Sequence, residues 1–315
     1  MAEGGTRTFS DPDSYAAGFG DARLNLIITG AGEFRARLTW LKLQHVEIHR
    51  CSEDLPRVAY ISLPAERVFL SFPLGTTAPV FDGFALRNDN MVQHSRGDHM
   101  HQRSNGKFQW ALISLSPDQL ANCSRALTGT PIVSPDASRI IRPARTKGSR
   151  FLELLKQACH LAEARRELIE HGEIARALEQ EILYAIVHCL TAPDAGEHSK
   201  TRRHHAAVMA SFEEVLSKRL DQKLTMPELC AEVGVPERTL RMCCAEFVGV
   251  SPMRYILLQR LNKARSALRR ADPSTASVAE VARNHQFLEL GRFAVTYRAI
   301  FGESPSTTLH RDMQP

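Results

Sequence analysis

Apolar and polar residues alternate along several short segments between residues 21 and 145. Phe34, Ala36, Leu38 and Trp40 form one such run, and turn residues separate it from the next. A period of two with β-branched and aromatic side chains is typical of half-buried strands. Many short strands at this spacing predict an antiparallel β sandwich or barrel, and the mouth of such a barrel can hold a small molecule.

Residues 148–190 have helical spacing instead. Apolar residues recur at Phe151, Leu155 and Ala158 and again after a break near His171, which predicts two helices. Their apolar stripes could dock on the sheet or on a second copy of the chain, and the pattern does not choose between these. Strands in 21–145 and helices in 148–190 together predict one sensor or dimerisation domain, residues 21–190.

The segments that flank this domain are polar. Residues 1–20 are rich in glycine, and we expect a flexible N-terminus there. Residues 191–200, TAPDAGEHSK, contain proline and glycine and predict an interdomain linker.

Residues 225–252 predict a helix, a tight turn and a second helix. Thr225 and Glu228 have the spacing of a capping box, so a helix begins directly after Thr225. Gly234 ends that helix, because glycine adopts the left-handed conformation that a helix C-terminus favours. The second helix begins near Pro236.

A long helix and a weaker copy of the same motif follow. Ser251 and the proline after it predict the start of a helix over Pro252–Arg270, which is about 28 Å long at about 1.5 Å per residue. Ser277 and Glu280 then repeat the capping box. Residues 201–315 therefore predict an all-α domain of two helix-turn-helix motifs joined by a linker helix, so the fold class of the whole chain is α+β.

Paired helix-turn-helix motifs favour sequence-specific DNA binding. A helix about 10 Å across fits a major groove about 12 Å wide. Two such helices on a bridge of about 28 Å could enter successive groove segments, which lie about 34 Å apart. Arginine can bond guanine O6 and N7 together, and methionine can contact a thymine methyl. The candidate DNA-binding residues of the first motif are Arg238, Thr239, Arg241 and Met242.

The charge distribution agrees with this function. Residues 201–315 carry 17 Lys and Arg against 12 Asp and Glu, whereas residues 1–200 carry 23 of each kind. The whole net charge of +5 therefore belongs to the last third of the chain. This is the sign expected of a domain that binds a polyanion.

Residues 205–311 resemble the DNA-binding domain of the AraC/XylS family of bacterial transcription regulators. The resemblance is carried by ELCAEVGVPERTL, GVSPMRYILLQRLNKAR and VAEVARNHQFLELGRFAVTYRAIFGESPSTTL. It implies an effector-responsive activator of a catabolic operon that binds double-stranded promoter DNA and RNA polymerase, and not an enzyme. Residues 20–145 more loosely resemble the family's cupin-like effector-binding domain, which implies a small-molecule effector and a homodimer.

The second recognition helix differs from the first when aligned with the family. Its residues at the base-contacting positions cannot make a bidentate hydrogen bond; they are Leu290, Gly291, Ala294 and Val295. Arg292 and Arg298 flank them and suit phosphates. We therefore predict that the first motif reads bases, while the second anchors the protein and reads DNA shape or thymine methyls.

Two turn residues also depart from the family pattern. Pro236 replaces the usual serine, which removes a side-chain cap at the start of the first recognition helix. Gln286 replaces the usual glycine of the second turn. A residue other than glycine in a left-handed conformation costs about 1 kcal/mol.

Two other functions stay open from the residues alone. His94, His99 and His101 could form half of a metal site, which would make the chain a cupin-type metal-dependent enzyme fused to a DNA-binding module. They could equally be solvated histidines of a strand and turn. The other alternative is a dimeric DNA-binding regulator that needs no ligand. We predict no catalytic residue, metal site or cofactor, and the effector-binding residues are unknown.

Cysteines and apolar runs bear on the cellular compartment. The seven cysteines include no C-x-x-C pair and are interpreted as reduced thiols. The most apolar run, residues 182–190, is far shorter than the roughly 18 residues of a spanning helix. The N-terminus has no apolar segment of a secretory signal. We therefore expect a cytoplasmic protein that does not enter the membrane.

Overall fold

A computed structural model of the chain describes residues 2–20, 22–75, 77, 79–191 and 200–311. Its N-terminal region, residues 2–191, contains the strands. They are β1 Glu3–Phe9, β2 Arg23–Ile28, β3 Ala36–Lys42, β4 Val46–Glu53, β5 Arg57–Ser62, β6 Val68–Pro73, β7 Val80–Phe81, β8 Phe84–Ala85, β9 Met91–Gln93, β10 His99–Ser104, β11 Phe108–Leu115 and β12 Arg139–Ile141.

These strands form two antiparallel sheets. The first sheet has the order β1-β3-β4-β11-β6-β9-β12, and the second has the order β2-β5-β10-β7-β8. Buried side chains of both sheets share one core; Leu38 and Trp110 enter it from the first sheet, and Val58 and Ile61 from the second. The alternation of apolar residues along the strands produces this arrangement, because successive side chains point to opposite faces. The prediction of an antiparallel β domain is confirmed.

The prediction of a flexible segment at residues 1–20 was wrong. Residues 3–9 form β1, which pairs with β3 along its whole length. A Cβ on Gly5 would lie 2.8 Å from the ring of Trp40, so this glycine allows two chains to approach closely. Backbone pairing in an edge strand needs no apolar side chains, which is why the polar composition was misleading. The short helix α1, Pro12–Ala16, then buries Tyr15 completely.

Helices cover the outer face of the first sheet. They are α2 Pro117–Thr128, α3 Arg145–Ala164, α4 Arg166–Glu170 and α5 Gly172–Leu190. The predicted break at His171 is present as the residue before α5. Helix α2 was not predicted, because the region up to residue 145 was assigned to strands alone. A buried cluster between α3, α5 and the sheet includes Leu70, Phe151 and Ile186.

The C-terminal region, residues 200–311, is all-α. Its helices are α6 Lys200–Arg219, α7 Met226–Val233, α8 Glu237–Phe247, α9 Pro252–Arg270, α10 Val278–Asn284, α11 Leu290–Phe301 and α12 Pro305–Leu309. The predicted linker helix is α9, with the predicted ends. Most of the segment predicted to be an interdomain linker, residues 192–199, lies outside the described residues. No helix in the described parts of the chain is long and apolar enough to span a membrane.

The C-terminal region packs directly on the second sheet. The side chain of Asn262 in α9 accepts a hydrogen bond from the backbone N–H of Ile28 at 2.9 Å and donates one to its carbonyl at 3.1 Å. Ile28 lies on β2, an edge strand. One cluster of buried apolar side chains contains residues of both sheets and of the C-terminal helices. The sheet therefore holds the helix-turn-helix motifs in a fixed orientation.

Candidate DNA-binding interface

The first helix-turn-helix motif consists of α7 and α8. The backbone N–H of Thr225 donates to the Glu228 carboxylate at 2.8 Å, as expected of the capping box. Gly234 ends α7 with φ +77°, in the left-handed conformation that the sequence predicted. Leu240 and Cys243 are fully buried beneath α8. These contacts fix the outward face of α8, the first recognition helix.

The outward face of α8 carries three of the four candidate residues of this motif. Arg238, Arg241 and Met242 are exposed, and Thr239 is half-buried. Arg241 forms an ion pair at 2.7 Å with Glu237 one turn earlier, and both side chains are about half exposed, at 51%. An exposed pair of this kind contributes little, so its guanidinium can leave Glu237 for a base.

The second motif consists of α10 and α11. Ser277 caps α10 by accepting a hydrogen bond from the backbone N–H of Glu280 at 3.1 Å. Gln286 has φ +68° in the turn, so the left-handed position that glycine usually occupies is present. Its side-chain Nε2 donates to the carbonyl of Asp221 at 2.8 Å. That bond between the second turn and the loop after α6 offsets part of the conformational strain at Gln286.

The outward face of α11 is largely apolar. Val295 is 73% exposed. Gly291, Arg292 and Arg298 are also exposed, whereas Leu290 is half-buried and packs against the core. The side chain of Leu290 is therefore less available to DNA than the sequence suggested. These residues suit contacts with a methyl group or a phosphate, not bidentate bonds to bases.

One exposed residue on this face was missed by the sequence analysis. Leu288 lies in the turn before α11, and 81% of its surface is exposed. It precedes the helix by two residues, and residues at the N-terminal end of a recognition helix contact base edges. The sequence does contain a clue to this residue, because a leucine stands in a turn where packing requires no apolar side chain.

The N-terminal region contacts the recognition helix α8 at the end opposite to its candidate arginines. Gly83, in the turn between β7 and β8, approaches α8 so closely that a Cβ there would lie 2.4 Å from Glu246. Glu246 in turn bonds His205 of α6 at 2.6 Å. The second sheet thus contacts the C-terminal end of α8 and leaves the outward face of this helix exposed.

The three histidines considered as metal ligands, His94, His99 and His101, have different surroundings. His94 bonds Asp98 at 3.0 Å and Ser71 at 2.8 Å. His101 bonds Glu213 of α6 at 2.8 Å, and His99 is exposed. No group of three or more His, Cys, Asp or Glu that could hold a metal ion occurs among the residues that the structure describes. The buried histidines serve as hydrogen-bond partners inside the fold.

Comparisons with known proteins agree with this geometry. A family model described as a helix-turn-helix domain matches residues 229–311. The chain is similar to the probable thc operon regulatory protein of Rhodococcus erythropolis, with 29% identity over 205 residues, 61% of this chain and 57% of that protein. It is also similar to XylDLEGF operon transcriptional activator 2 of Pseudomonas putida, with 34% identity over 94 residues, 30% of this chain and 60% of that protein.

The chain spans about half the length of the curated relatives that it matches. Among solved structures, it is similar to a probable AraC family transcriptional regulator from Rhodopseudomonas palustris CGA009. That similarity has 32% identity and a TM-score of 0.31, and it covers 33% of this chain and 95% of that one.

Proposed function

We propose, since the chain belongs to the AraC/XylS family of transcription regulators, that it binds promoter DNA through residues 201–311 and activates transcription of an operon. The curated relatives are named as an operon regulatory protein and as transcriptional activators. The inference that this chain also activates transcription rests on the names of those relatives. The expected partners are double-stranded promoter DNA, RNA polymerase and a second copy of the chain, and the expected compartment is the cytoplasm.

One observation carries the proposal: in the part of the chain that the structure describes, the outward faces of both recognition helices are exposed. On α8 the exposed side chains include Arg238 and Arg241, and on α11 they include Arg292 and Val295. The linker helix α9 has 19 residues, about 28 Å at about 1.5 Å per residue. Two helices at its ends can enter neighbouring major-groove segments on one side of a duplex.

The two faces support a division of labour. Arg238 and Arg241 can each make a bidentate bond to guanine. The second face offers Val295 and Leu288 for thymine methyls, and Arg292 and Arg298 for phosphates. We infer that α8 supplies most of the base specificity and that α11 anchors the protein and fixes its register.

The proposal is tested by selecting binding sites from a random DNA library with the full chain and measuring affinities by fluorescence anisotropy. Arg241→Ala should weaken binding to the selected site by about 1–3 kcal/mol and relax base preference at one position. Arg292→Ala should weaken binding to selected and scrambled DNA alike and reduce the salt dependence. Lys156→Ala removes one positive charge from α3, which belongs to neither helix-turn-helix motif, and is the matched control.

Three results would contradict this assignment. The first is a failure of the selection to enrich any sequence. The second is an Arg241→Ala variant whose affinity and base preference are unchanged. The third is a change of base preference in Arg292→Ala, which would make α11 a reader of bases and not an anchor.

A further inference from the structure

A cavity of about 710 Å³ lies between the edge of the first sheet and the beginning of α3. It is separate from both recognition helices and from the core between the two sheets. The residues that line it come from β6, from the segment around β9, and from the start of α3; they are Phe72, Asn88, Asp89, Asn90, Met91, Arg142, Pro143, Ala144, Arg145, Gly148, Ser149, Phe151 and Leu152.

One side of this cavity is apolar. Phe72, Met91 and Phe151 are almost fully buried. The rings of Phe72 and Phe151 meet edge to face, with their centroids 5.3 Å apart. A volume of several hundred Å³ with an aromatic wall and a few polar groups is the usual form of a small-molecule site.

Another part of the lining is the N-terminus of α3, a helix of 20 residues. Its N-cap is Ala144, which has no side-chain acceptor, and the first turn contains no acidic residue. The first N–H groups of a helix carry a partial positive charge and attract anions. Arg142 and Arg145 also line the cavity, and Asp89, the one acid among the lining residues that the structure describes, lies 3.5 Å from Arg142. The lining therefore has a net positive charge.

The side-chain amide of Asn90 is a second, independent observation that points to a ligand. Its side chain is 2% exposed, and its Oδ1 accepts a hydrogen bond from the N–H of Arg87 at 2.8 Å. Its amide Nδ2 has no hydrogen-bond partner among the residues that the structure describes. A buried donor without an acceptor is destabilising. An acceptor atom that entered the cavity beside Asn90 could satisfy it.

We propose that this cavity binds a small organic anion, a carboxylate on an apolar body, with the carboxylate at the N-terminus of α3 beside Arg145 and Asn90. The apolar body lies against Phe72 and Phe151. Describing this molecule as an effector rests on the proposed function in transcription, but binding itself does not. These residues differ from the three histidines considered as metal ligands and from the candidate DNA-binding residues.

The position of the cavity connects it to the C-terminal region. The thiol of Cys189, near the end of α5, lies 3.9 Å from the carbonyl of Lys147 in the first turn of α3. Arg150 of α3 and Glu181 of α5 approach to 3.7 Å. In the sequence, α5 is the helix before α6 of the C-terminal region. A ligand that orders the first turn of α3 therefore acts beside the helix that leads to the DNA-binding motifs.

The test uses the full chain without DNA and 4-phenylbutyrate as the probe. Calorimetric titration should show saturable binding of 4-phenylbutyrate, and the probe should raise the melting temperature. The neutral amide of the same acid should bind about tenfold more weakly, because it lacks the charge that the helix N-terminus favours. Sodium sulfate at the same ionic strength controls for a bare anion that cannot use the apolar wall.

Arg145→Glu is the decisive variant. Arg145 is exposed, so the variant should fold, and its affinity for 4-phenylbutyrate should fall about tenfold. Lys156→Glu makes the same change of charge further along α3, outside the cavity, and should leave the affinity unchanged.

The outcomes separate this inference from the proposed function. No binding of 4-phenylbutyrate, equal binding of its amide, equal stabilisation by sulfate, or equal weakening by Lys156→Glu would each overturn the anion site. A chain that binds the carboxylate but enriches no DNA sequence would overturn the proposed function and leave the anion site intact.

Discussion

At the scale of residues, the contact between the two regions contains a buried polar network beside its apolar side chains. Glu213 of α6 is 6% exposed and accepts hydrogen bonds from Tyr255 at 2.6 Å and from His101 at 2.8 Å. Burial raises the pKa of Tyr255 well above its ordinary value. A buried carboxylate with several donors is specific in geometry, because removal of one partner leaves an uncompensated polar group. This network therefore selects one orientation of the sheet against α6 and α9.

A second acid lies beside the same histidine. Asp82, in the turn between β7 and β8, accepts a hydrogen bond from the backbone N–H of His101 at 2.7 Å. Burial raises its pKa from 3.8 to about 7. The folded state therefore holds a proton on Asp82 between about pH 4 and pH 7, where the unfolded state has already lost it. The contribution of this group to stability is greatest at low pH and falls as the pH rises through 7.

Asp82→Asn should remove that pH dependence. Asparagine keeps the acceptor for His101 and tolerates the φ of +42° at this position. The variant should gain melting temperature over the parent chain at pH 8, where the parent buries a charge, and gain less at pH 5.5. Asp136→Asn makes the same change at an exposed position and should have little effect at either pH. An equal effect of Asp82→Asn at the two pH values would contradict the raised pKa.

At the scale of elements, two serines at the N-cap positions of helices differ in their hydrogen bonds. Ser277 accepts a hydrogen bond from the backbone N–H of Glu280 and so caps α10. Ser251 occupies the N-cap of α9, but its side chain makes no capping bond. Both were identified from the sequence as helix starts, and both helices begin there. Whether the serine side chain makes a capping hydrogen bond depends on local geometry. The dipeptides Ser251-Pro252 and Ser277-Val278 do not specify that geometry.

Ser277→Ala should therefore destabilise the fold more than Ser251→Ala. Loss of a capping hydrogen bond costs about 1 kcal/mol, and Ser251 has no such bond to lose. Urea denaturation of the two variants provides the comparison, since the chemical change is the same in both. Equal losses, or a larger loss in Ser251→Ala, would show that the capping bond at α10 contributes nothing.

Elements with strong periodicity were the ones that the sequence could predict. The ends of α9 follow from Ser251, Pro252 and a continuous helical pattern, and the left-handed turn at Gly234 follows from its residue type. The strand β1 and the helix α2 were missed for a physical reason. Pairing of β1 with β3 depends on backbone groups, and α2 is a surface helix in which only Leu120 and Ser124 are buried. Neither leaves a clear apolar pattern.

At the scale of the whole molecule, the two regions share one core. Buried residues such as Ile28 and Met100 of the sheet belong to the same cluster as Phe247 and Tyr255 of the C-terminal region. Sequence patterns could define each region separately. They could not predict the contacts between them, because His101 and Glu213 are 112 residues apart. The same limit applies to the anion cavity, whose lining comes from three separate segments.

A shared core predicts cooperative unfolding. Differential scanning calorimetry of the full chain should show a single transition in which calorimetric and van't Hoff enthalpies agree. Asn262→Ala removes both bonds to Ile28 and should lower the melting temperature. Asn284→Ala, at an exposed position of α10, should leave it nearly unchanged. Two resolved transitions in the parent chain would mean that the regions unfold independently and that the contacts between them contribute little to stability.

In the proposed function, two helix-turn-helix motifs held by one rigid helix bind a single face of DNA. Hydroxyl-radical footprinting of the full chain on its selected site tests this directly. We predict two protected segments on the same face of the duplex, about 10 base pairs apart from centre to centre. Protection of only one segment, or protection that is the same on scrambled DNA, would contradict the claim.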